Sequence, residues 1–125
     1  HAMREQQTGF RLTGGMHAAG LYARDGTSLV VMEDIGRHNA VDKAYGAWYD
    51  QNLERPNVLL LSGRCGWDIV AKAAAMDTPI IASFGAASSL AVETARASNM
   101  TLITFVKGDK AVIIGPIEGR FHRKH

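Results

Sequence analysis

Two apolar runs, Val58-Leu59-Leu60-Leu61 and Pro79-Ile80-Ile81-Ala82-Ser83, decide the fold that this sequence predicts. Each run is short and mostly apolar, with a glycine two residues after its end, which is typical of a strand buried on both faces of a parallel sheet. The segment between them, from about Gly66 to Met76, has the length and composition of a helix. A strand, a helix and a second strand in this order predict a βαβ unit.

The same alternation continues on both sides of this unit. A helix is predicted upstream because Val41, Ala44, Tyr45 and Trp48 recur at helical spacing, and Pro56 follows it. In chain order, the further predicted elements are a short helix over residues 14–19 capped by Thr13, a hairpin of residues 20–23 and 28–32, the helix over 38–53, a helix over 88–97 capped by Ser88 or Ser89 and closed by Asn99, and strands over 101–106 and 111–114.

These elements predict an α/β domain of three layers, with a mixed, mostly parallel sheet and helices on both faces. The domain is predicted to span residues 13–116. Residues 1–12 are interpreted as an expression-tag remnant with a short extension, and residues 117–125 as a basic tail. A single domain of this length buries enough surface to fold without a disulfide or a metal ion.

Composition excludes several classes of protein. The formal net charge of +2 is spread along the chain, which argues against a duplex-DNA binder, so no nucleic-acid partner is expected. Cys65 is the only cysteine, so no internal disulfide forms, and a reducing compartment is expected. No apolar run has the length of a membrane span and no signal peptide is recognised. We therefore expect a cytoplasmic protein without a membrane partner.

Candidate ligand-binding residues cluster where predicted strands end, which is where open α/β sheets bind ligands. The four segments concerned are residues 33–39, 62–66, 84–89 and 107–110, and all are rich in glycine, serine or charge. Helix N-termini favour anions, and glycine lets a ligand approach the backbone. Arg37, Arg64, Lys107 and Lys110 are candidates for neutralising a diphosphate. Asp34 or Asp109 is a candidate acceptor for a base amine, so a nucleotide-like ligand is expected.

Each candidate also has a structural interpretation. Asp34 is a candidate cap for the helix that follows it, and His17 and His38 are candidates for hydrogen-bonded structural histidines. Cys65 is more often a small buried residue than a nucleophile. The polar density of residues 33–43 nevertheless exceeds what capping requires.

The absence of established sequence motifs argues against several other chemistries. No phosphate loop, dinucleotide fingerprint or nucleophile elbow is present. The element order resembles the zinc deaminases, but Ala40 stands where their catalytic glutamate would be, and only one cysteine, Cys65, lies near their cysteine pair. At most two zinc ligands can be placed where three are needed, so we predict neither a metal site nor deamination.

Several segments, in matching order, resemble the formate dehydrogenase accessory sulfurtransferases of the FdhD/NarQ family. The most specific is Glu33-Asp34-Ile35-Gly36-Arg37-His38-Asn39-Ala40-Val41-Asp42-Lys43. The other matching segments are Thr13-Gly14-Gly15-Met16-His17-Ala18-Ala19, Ser62-Gly63-Arg64, Ser89-Leu90-Ala91-Val92-Glu93 and residues 105–110. The resemblance implies a cytidine-deaminase-like fold without zinc and a homodimer. It also implies sulfur transfer from a cysteine desulfurase to the molybdenum or tungsten bis-molybdopterin guanine dinucleotide cofactor of the formate dehydrogenase catalytic subunit.

The same resemblance assigns cofactor-binding residues, with GDP as a partial mimic of the cofactor. It places Phe105, Val106, Lys107, Gly108, Asp109 and Lys110 in the binding segment. Our interpretation adds Arg37 and Arg64 for phosphates, and His17, His38 and Asp42 for the dithiolene end. Asn39, Gly85 and Ser88 complete the predicted site, with Asp109 or Asp34 reading the guanine edge.

The family's Cys-x-x-Cys loop, which precedes the Thr13 motif in its members, has no counterpart in Met3 to Arg11. The sequence therefore leaves open whether this chain is an enzyme. One alternative is a cofactor-binding module without chemistry. Another is an enzyme that depends on Cys65 and acts on a different nucleotide, for which that thiol would need a lowered pKa.

Overall fold

The computed structural model describes residues 16–51, 53–105 and 110–117. In this part of the chain, six strands and three helices follow one another in the order β1 (His17–Tyr22), β2 (Ser28–Asp34), α1 (Arg37–Asp50), β3 (Val58–Leu61), α2 (Trp67–Ala75), β4 (Ile80–Ser83), α3 (Ser89–Ala97), β5 (Thr101–Phe105) and β6 (Ala111–Ile114).

The strands form a single mixed sheet in the order β2-β1-β3-β4-β5-β6. The inner strands β3, β4 and β5 pair in parallel, whereas β1 is antiparallel to both β2 and β3, and β6 is antiparallel to β5. Four of the six described strands, β2 to β5, therefore run in one direction. The predicted α/β class and the predicted mixed, mostly parallel sheet are confirmed.

One face of the sheet carries the main hydrophobic core. Strand residues such as Leu59, Ile81 and Leu102 pack there against all three described helices, which contribute Val41, Ile69, Val70 and other buried residues to the same cluster. The opposite face has a smaller cluster built around Tyr22 and Leu60. The described helices thus share one face, and no helix of the predicted second layer lies among the described residues.

Helix ends follow the local sequence. Ser88 caps α3, because its hydroxyl accepts a hydrogen bond from the N–H of Ala91 at 3.1 Å. Asn99 has φ of 57° and follows that helix, as predicted, and Asp77 has φ of 58° after α2. Asparagine and aspartate adopt this left-handed conformation more readily than most residues, which lets the chain turn into the next strand.

The predicted helix over residues 14–19 is wrong where the structure describes it, because His17–Tyr22 is strand β1. Its small residues have weak strand propensity, but β1 lies between β2 and β3, and pairing on both sides decides its conformation. The hairpin of β1 and β2 and the strands β3, β4 and β6 lie where predicted. The helix predicted over residues 38–53 ends earlier, at Asp50.

Candidate functional site

The ends of several elements meet at one edge of the sheet, here called the carboxyl edge. It contains the carboxyl ends of the parallel strands β2, β3 and β4, the start of β1, and the N-termini of the three described helices. Each helix N-terminus leaves backbone N–H groups without helical partners and carries partial positive charge. The edge is therefore suited to bind an anion.

The start of β1 brings His17 into this edge. His17 pairs with Asp34 of β2, and its Nδ1 lies 3.1 Å from the position that a Cβ on Gly63 would occupy. The end of β3 is fixed to β1 next to this contact, since the N–H of Ala18 donates to the Ser62 hydroxyl at 2.9 Å. The structure therefore brings His17 next to the Ser62-Gly63-Arg64 segment.

The ends of β3 and β4 are joined by the Ser83 hydroxyl. Its Oγ lies 2.6 Å from the carbonyl oxygen of Gly63 and 2.8 Å from that of Gly85. The two segments lie so close that a Cβ on Gly85 would fall 2.6 Å from the backbone nitrogen of Arg64. Beyond this contact, Cys65 and Ala87 form an isolated parallel bridge that keeps the two loops side by side.

Asp34 organises the loop between β2 and α1. One carboxylate oxygen accepts from the N–H of Gly36 at 2.9 Å, and the other pairs with Nζ of Lys43 at 2.7 Å. These contacts, the Lys43 pairing first among them, lower the pKa of Asp34 to about 2. Gly36 is the N-cap of α1 and receives no side-chain cap, so Asp34 holds the loop rather than capping the helix. Both of its oxygens are used within the chain.

Two polar contacts between side chains join α1 to α2 beside the carboxyl edge. Nε2 of His38 lies 2.5 Å from Oδ2 of Asp68, and one helical turn further Lys72 pairs with Asp42. All four side chains are about half exposed, so the pairs lie at the surface of the site. The predicted lining residues His38 and Asp42 are thus held by partners on the neighbouring helix.

Arg37, the first residue of α1, has one guanidinium nitrogen without an acceptor among the described residues. Its Nε is buried, and it has no hydrogen-bond partner in the part of the chain that the structure describes. Buried polar atoms are nearly always paired in folded proteins, and the only other unpaired buried side-chain atom among the described residues is the Tyr22 hydroxyl, so Nε of Arg37 is a candidate donor to a bound anion. An anion at the carboxyl edge would supply that acceptor.

Cys65 is buried, with 1% of its surface exposed, and burial raises the pKa of its thiol to about 12. The nearby carboxylate of Asp68 acts in the same direction, and only Arg37 opposes it. A reactive cysteine needs the opposite environment, accessible and with a lowered pKa. Burial and the raised pKa of this thiol therefore favour the structural interpretation of Cys65 over its role as a nucleophile.

The other predicted site residues are distributed around the same edge. Arg64, Asn39 and Ser88 are exposed there, and Lys110 is exposed just before β6. The ring of Phe105 stacks on that of Phe84 with 4.8 Å between centroids. Residues 106–109, which include Val106, Lys107, Gly108 and Asp109, lie outside the described residues, and their assignment stays a prediction.

Sequence reasoning missed two polar residues that fix the site. They are Ser83 and Asp68, which anchor the end of β4 and His38 respectively. Ser83 is at a strand end, where serine is common, so the sequence gives no signal that singles it out. Asp68 is the one acidic residue in the first turn of α2, which is a recognisable signal.

Away from the carboxyl edge, the described part of the chain offers few other candidate ligand sites. A cleft of about 250 Å³ lies at the opposite edge, between the ends of α2 and α3, and is lined by Asp77, Thr78 and Asn99 among others. No group of three or more histidine, cysteine or acidic residues in residues 16–51, 53–105 and 110–117 could hold a metal ion. None of the described helices combines the length and apolarity that crossing a membrane requires.

Comparison with known proteins agrees with this geometry. The profile of the FdhD/NarQ family matches residues 1–117. The chain belongs to the FdhD/NarQ family. Two proteins named sulfur carrier protein FdhD illustrate the similarity. The one from Mycolicibacterium paratuberculosis is 48% identical over 111 residues, covering 87% of this chain and 41% of that relative, and the one from Thermoplasma volcanium is 47% identical over 107 residues, covering 85% and 38%.

A solved structure supports the same membership. A crystal structure from Desulfotalea psychrophila, described as that of a formate dehydrogenase accessory protein, superposes with a TM-score of 0.78 at 30% identity. The match covers 97% of this chain and 53% of the other. This FdhD/NarQ chain therefore corresponds to about two-fifths of the length of the sulfur carrier relatives that it matches and to about half of the solved chain.

The close approach at Gly85 predicts a destabilising substitution. In Gly85→Ala the new methyl group would meet backbone atoms of Gly63 and Arg64 at 2.6 to 2.9 Å, and backbone cannot rotate away as a side chain can. We expect a loss of about 1–3 kcal/mol in the free energy of unfolding, measured by chemical denaturation.

Gly46→Ala is the matched control, because nothing lies within 4 Å of the position of its Cβ. Alanine favours the helix over glycine, so this substitution should raise the free energy of unfolding by roughly 0.5–1 kcal/mol. Equal effects of the two substitutions would contradict the packing at this edge.

The contacts of Asp34 predict a specific acid sensitivity. Since the pKa of Asp34 is about 2 in the folded chain and its ordinary value is 3.8, the ionised carboxylate stabilises the fold at higher pH. That contribution is lost as pH falls from about 4 to about 2. Thermal unfolding of Asp34→Asn should therefore depend less on pH in this window than that of the parent. Lys43→Gln should act in the same direction, whereas Arg24→Gln in the hairpin turn should not. Parallel pH profiles for the parent and Asp34→Asn would show that these contacts do not form.

Proposed function

We propose that this chain is the nucleotide-binding part of an FdhD-type sulfur carrier. In this role it holds the guanine dinucleotide moiety of a molybdenum or tungsten bis-molybdopterin guanine dinucleotide cofactor while formate dehydrogenase is matured. The observation that carries the proposal is the unpaired, buried Nε of Arg37 at an edge where three helix N-termini meet. Membership of the FdhD/NarQ family supplies the biological setting, since the relatives are named sulfur carrier proteins.

The residues of the carboxyl edge fit the anionic part of such a cofactor. Arg37 and Arg64 can each donate two parallel hydrogen bonds to a phosphate, and the helix N-termini add backbone N–H donors. Lys110, exposed before β6, adds a further cation. Asp34 is committed to Lys43 and Gly36, so the guanine edge is assigned to Asp109.

The chain's own residues bind and orient in this proposal. When bound, the cofactor supplies the metal–dithiolene centre that receives sulfur. We assign this end of the cofactor to the imidazoles of His38 and His17, and the assignment is supported by their fixed places beside Asp68 and Gly63 at the carboxyl edge. A cysteine desulfurase and the catalytic subunit of formate dehydrogenase are the proposed partners, and a homodimer is the proposed assembly.

A second candidate function is cofactor binding without sulfur transfer. It is favoured by one observation, namely that the single cysteine of the chain, Cys65, is buried and has a raised pKa. Both candidates require the same nucleotide site. They differ in whether cysteines borne outside this chain carry the sulfur to it.

Ligand-induced stabilisation tests the shared part of the proposal. GDP at about a hundred times its dissociation constant should add roughly 2.7 kcal/mol to the free energy of unfolding and raise the thermal midpoint by several degrees. ADP and CMP should raise it less, because guanine is the predicted base.

The variant Arg37→Ala should reduce the shift caused by GDP to less than half, since it removes the buried donor. Arg96→Ala is the matched control, because Arg96 lies in the last turn of α3, at the opposite edge. An unchanged shift in Arg37→Ala would remove Arg37 from the site. No shift of the parent chain with any of the three nucleotides would contradict the proposed function.

A further inference from the structure

Large apolar side chains are exposed at the carboxyl edge. Ile35, Trp67 and Leu90 are 77%, 52% and 51% exposed. Each lies within two residues of a helix N-cap, namely Gly36, Gly66 or Ser88. Exposed apolar groups that cluster in this way mark binding surfaces more often than isolated ones do.

Trp67 has no evident role in folding. It is the first residue of α2, whose buried face is formed by Ile69, Val70 and Ala73. The other tryptophan, Trp48, is partly buried, and its indole N–H donates to the carbonyl oxygen of Glu54 at 2.7 Å. The indole N–H of Trp67 has no hydrogen-bond partner in the described part of the chain.

The backbone that carries Trp67 is held firmly on both sides. Cys65 bonds through its N–H to Ala86 and through its carbonyl oxygen to Ser88, so the loop before Trp67 is tied to the end of β4. Asp68, the next residue, is held by His38. A tryptophan on a fixed backbone has only two side-chain torsions to order when it binds a ligand, so it offers a large contact area at low entropic cost.

We propose that Trp67 is the stacking platform for the heteroaromatic ring of the ligand whose phosphates are held at the same edge. This inference rests on the proposed function and deepens it. The anionic part of a nucleotide engages Arg37 and the helix N-termini, and its planar base covers the exposed indole. Stacking on an aromatic side chain suits a purine or pterin ring, because both faces of such a ring are available for contact.

The two tryptophans give a direct spectroscopic test. In a Trp48→Phe background, Trp67 is the only indole, so its emission reports on this position alone. GDP should quench or shift that emission with a saturable dependence on concentration. Inorganic pyrophosphate, which supplies the anion without a ring, should bind without a comparable change.

Affinities of two variants complete the test. Trp67→Ala should weaken GDP binding by on the order of tenfold, which corresponds to about 1.4 kcal/mol, while pyrophosphate binding stays unchanged. Trp67→Phe should retain most of the GDP affinity, because phenylalanine still stacks.

Equal GDP affinity in Trp67→Ala and the parent would overturn this inference and leave the proposed function intact. Failure of the parent to bind either GDP or pyrophosphate would overturn both. A shift in Trp67 emission that depends on protein concentration, with no response to GDP, would assign the indole to a contact between copies of the chain and also overturn the inference.

Discussion

The common direction of β2, β3, β4 and β5 is the constraint on which the rest of the structure depends. Each of these strands is followed by a helix or, for β5, by the strand β6 that reverses direction. The three crossovers move along the sheet in one sense, and crossovers of the usual right hand then place every helix on the same face. The strand ends and the helix N-termini must consequently meet at one edge.

At the carboxyl edge the backbone is held rigidly, but two side chains have no bonding or packing partner that accounts for them. The backbone is fixed by Ser62, Ser83 and the close contact at Gly85. Most polar side chains of the edge have partners, as Asp68 has in His38 and Asp34 has in Lys43. Arg37 and Trp67 depart from this pattern, one as a buried nitrogen without an acceptor and the other as an indole left in water. The unused cationic donor and the unused aromatic surface are the two features on which the proposed ligand, with its phosphates and its ring, depends.

Much of this could be predicted from the sequence, because apolar runs such as Val58–Leu61 and Ile80–Ser83 leave few alternatives to buried parallel strands. The strand β1 could not, since its Ala-Ala-Gly core has weak strand propensity and is extended only because two neighbours pair with it. The positions of Arg37, His38 and Arg64 at one edge followed from the strand-end rule. The bond from His38 to Asp68 did not, because it depends on the relative placement of α1 and α2. The role of Asp34 as a loop anchor likewise required its contacts with Lys43 and Gly36.

The measurement that tests the central claim most directly is a titration of backbone amide chemical shifts with GDP. If the carboxyl edge is the ligand site, the largest perturbations should fall at the N–H groups of residues 36–39, 63–67 and 85–89, each next to a helix N-terminus. The amides of Thr78 and of residues 98–100, at the cleft of the opposite edge, should stay unperturbed. Perturbations centred on that cleft, with none at the three helix N-termini, would contradict the account.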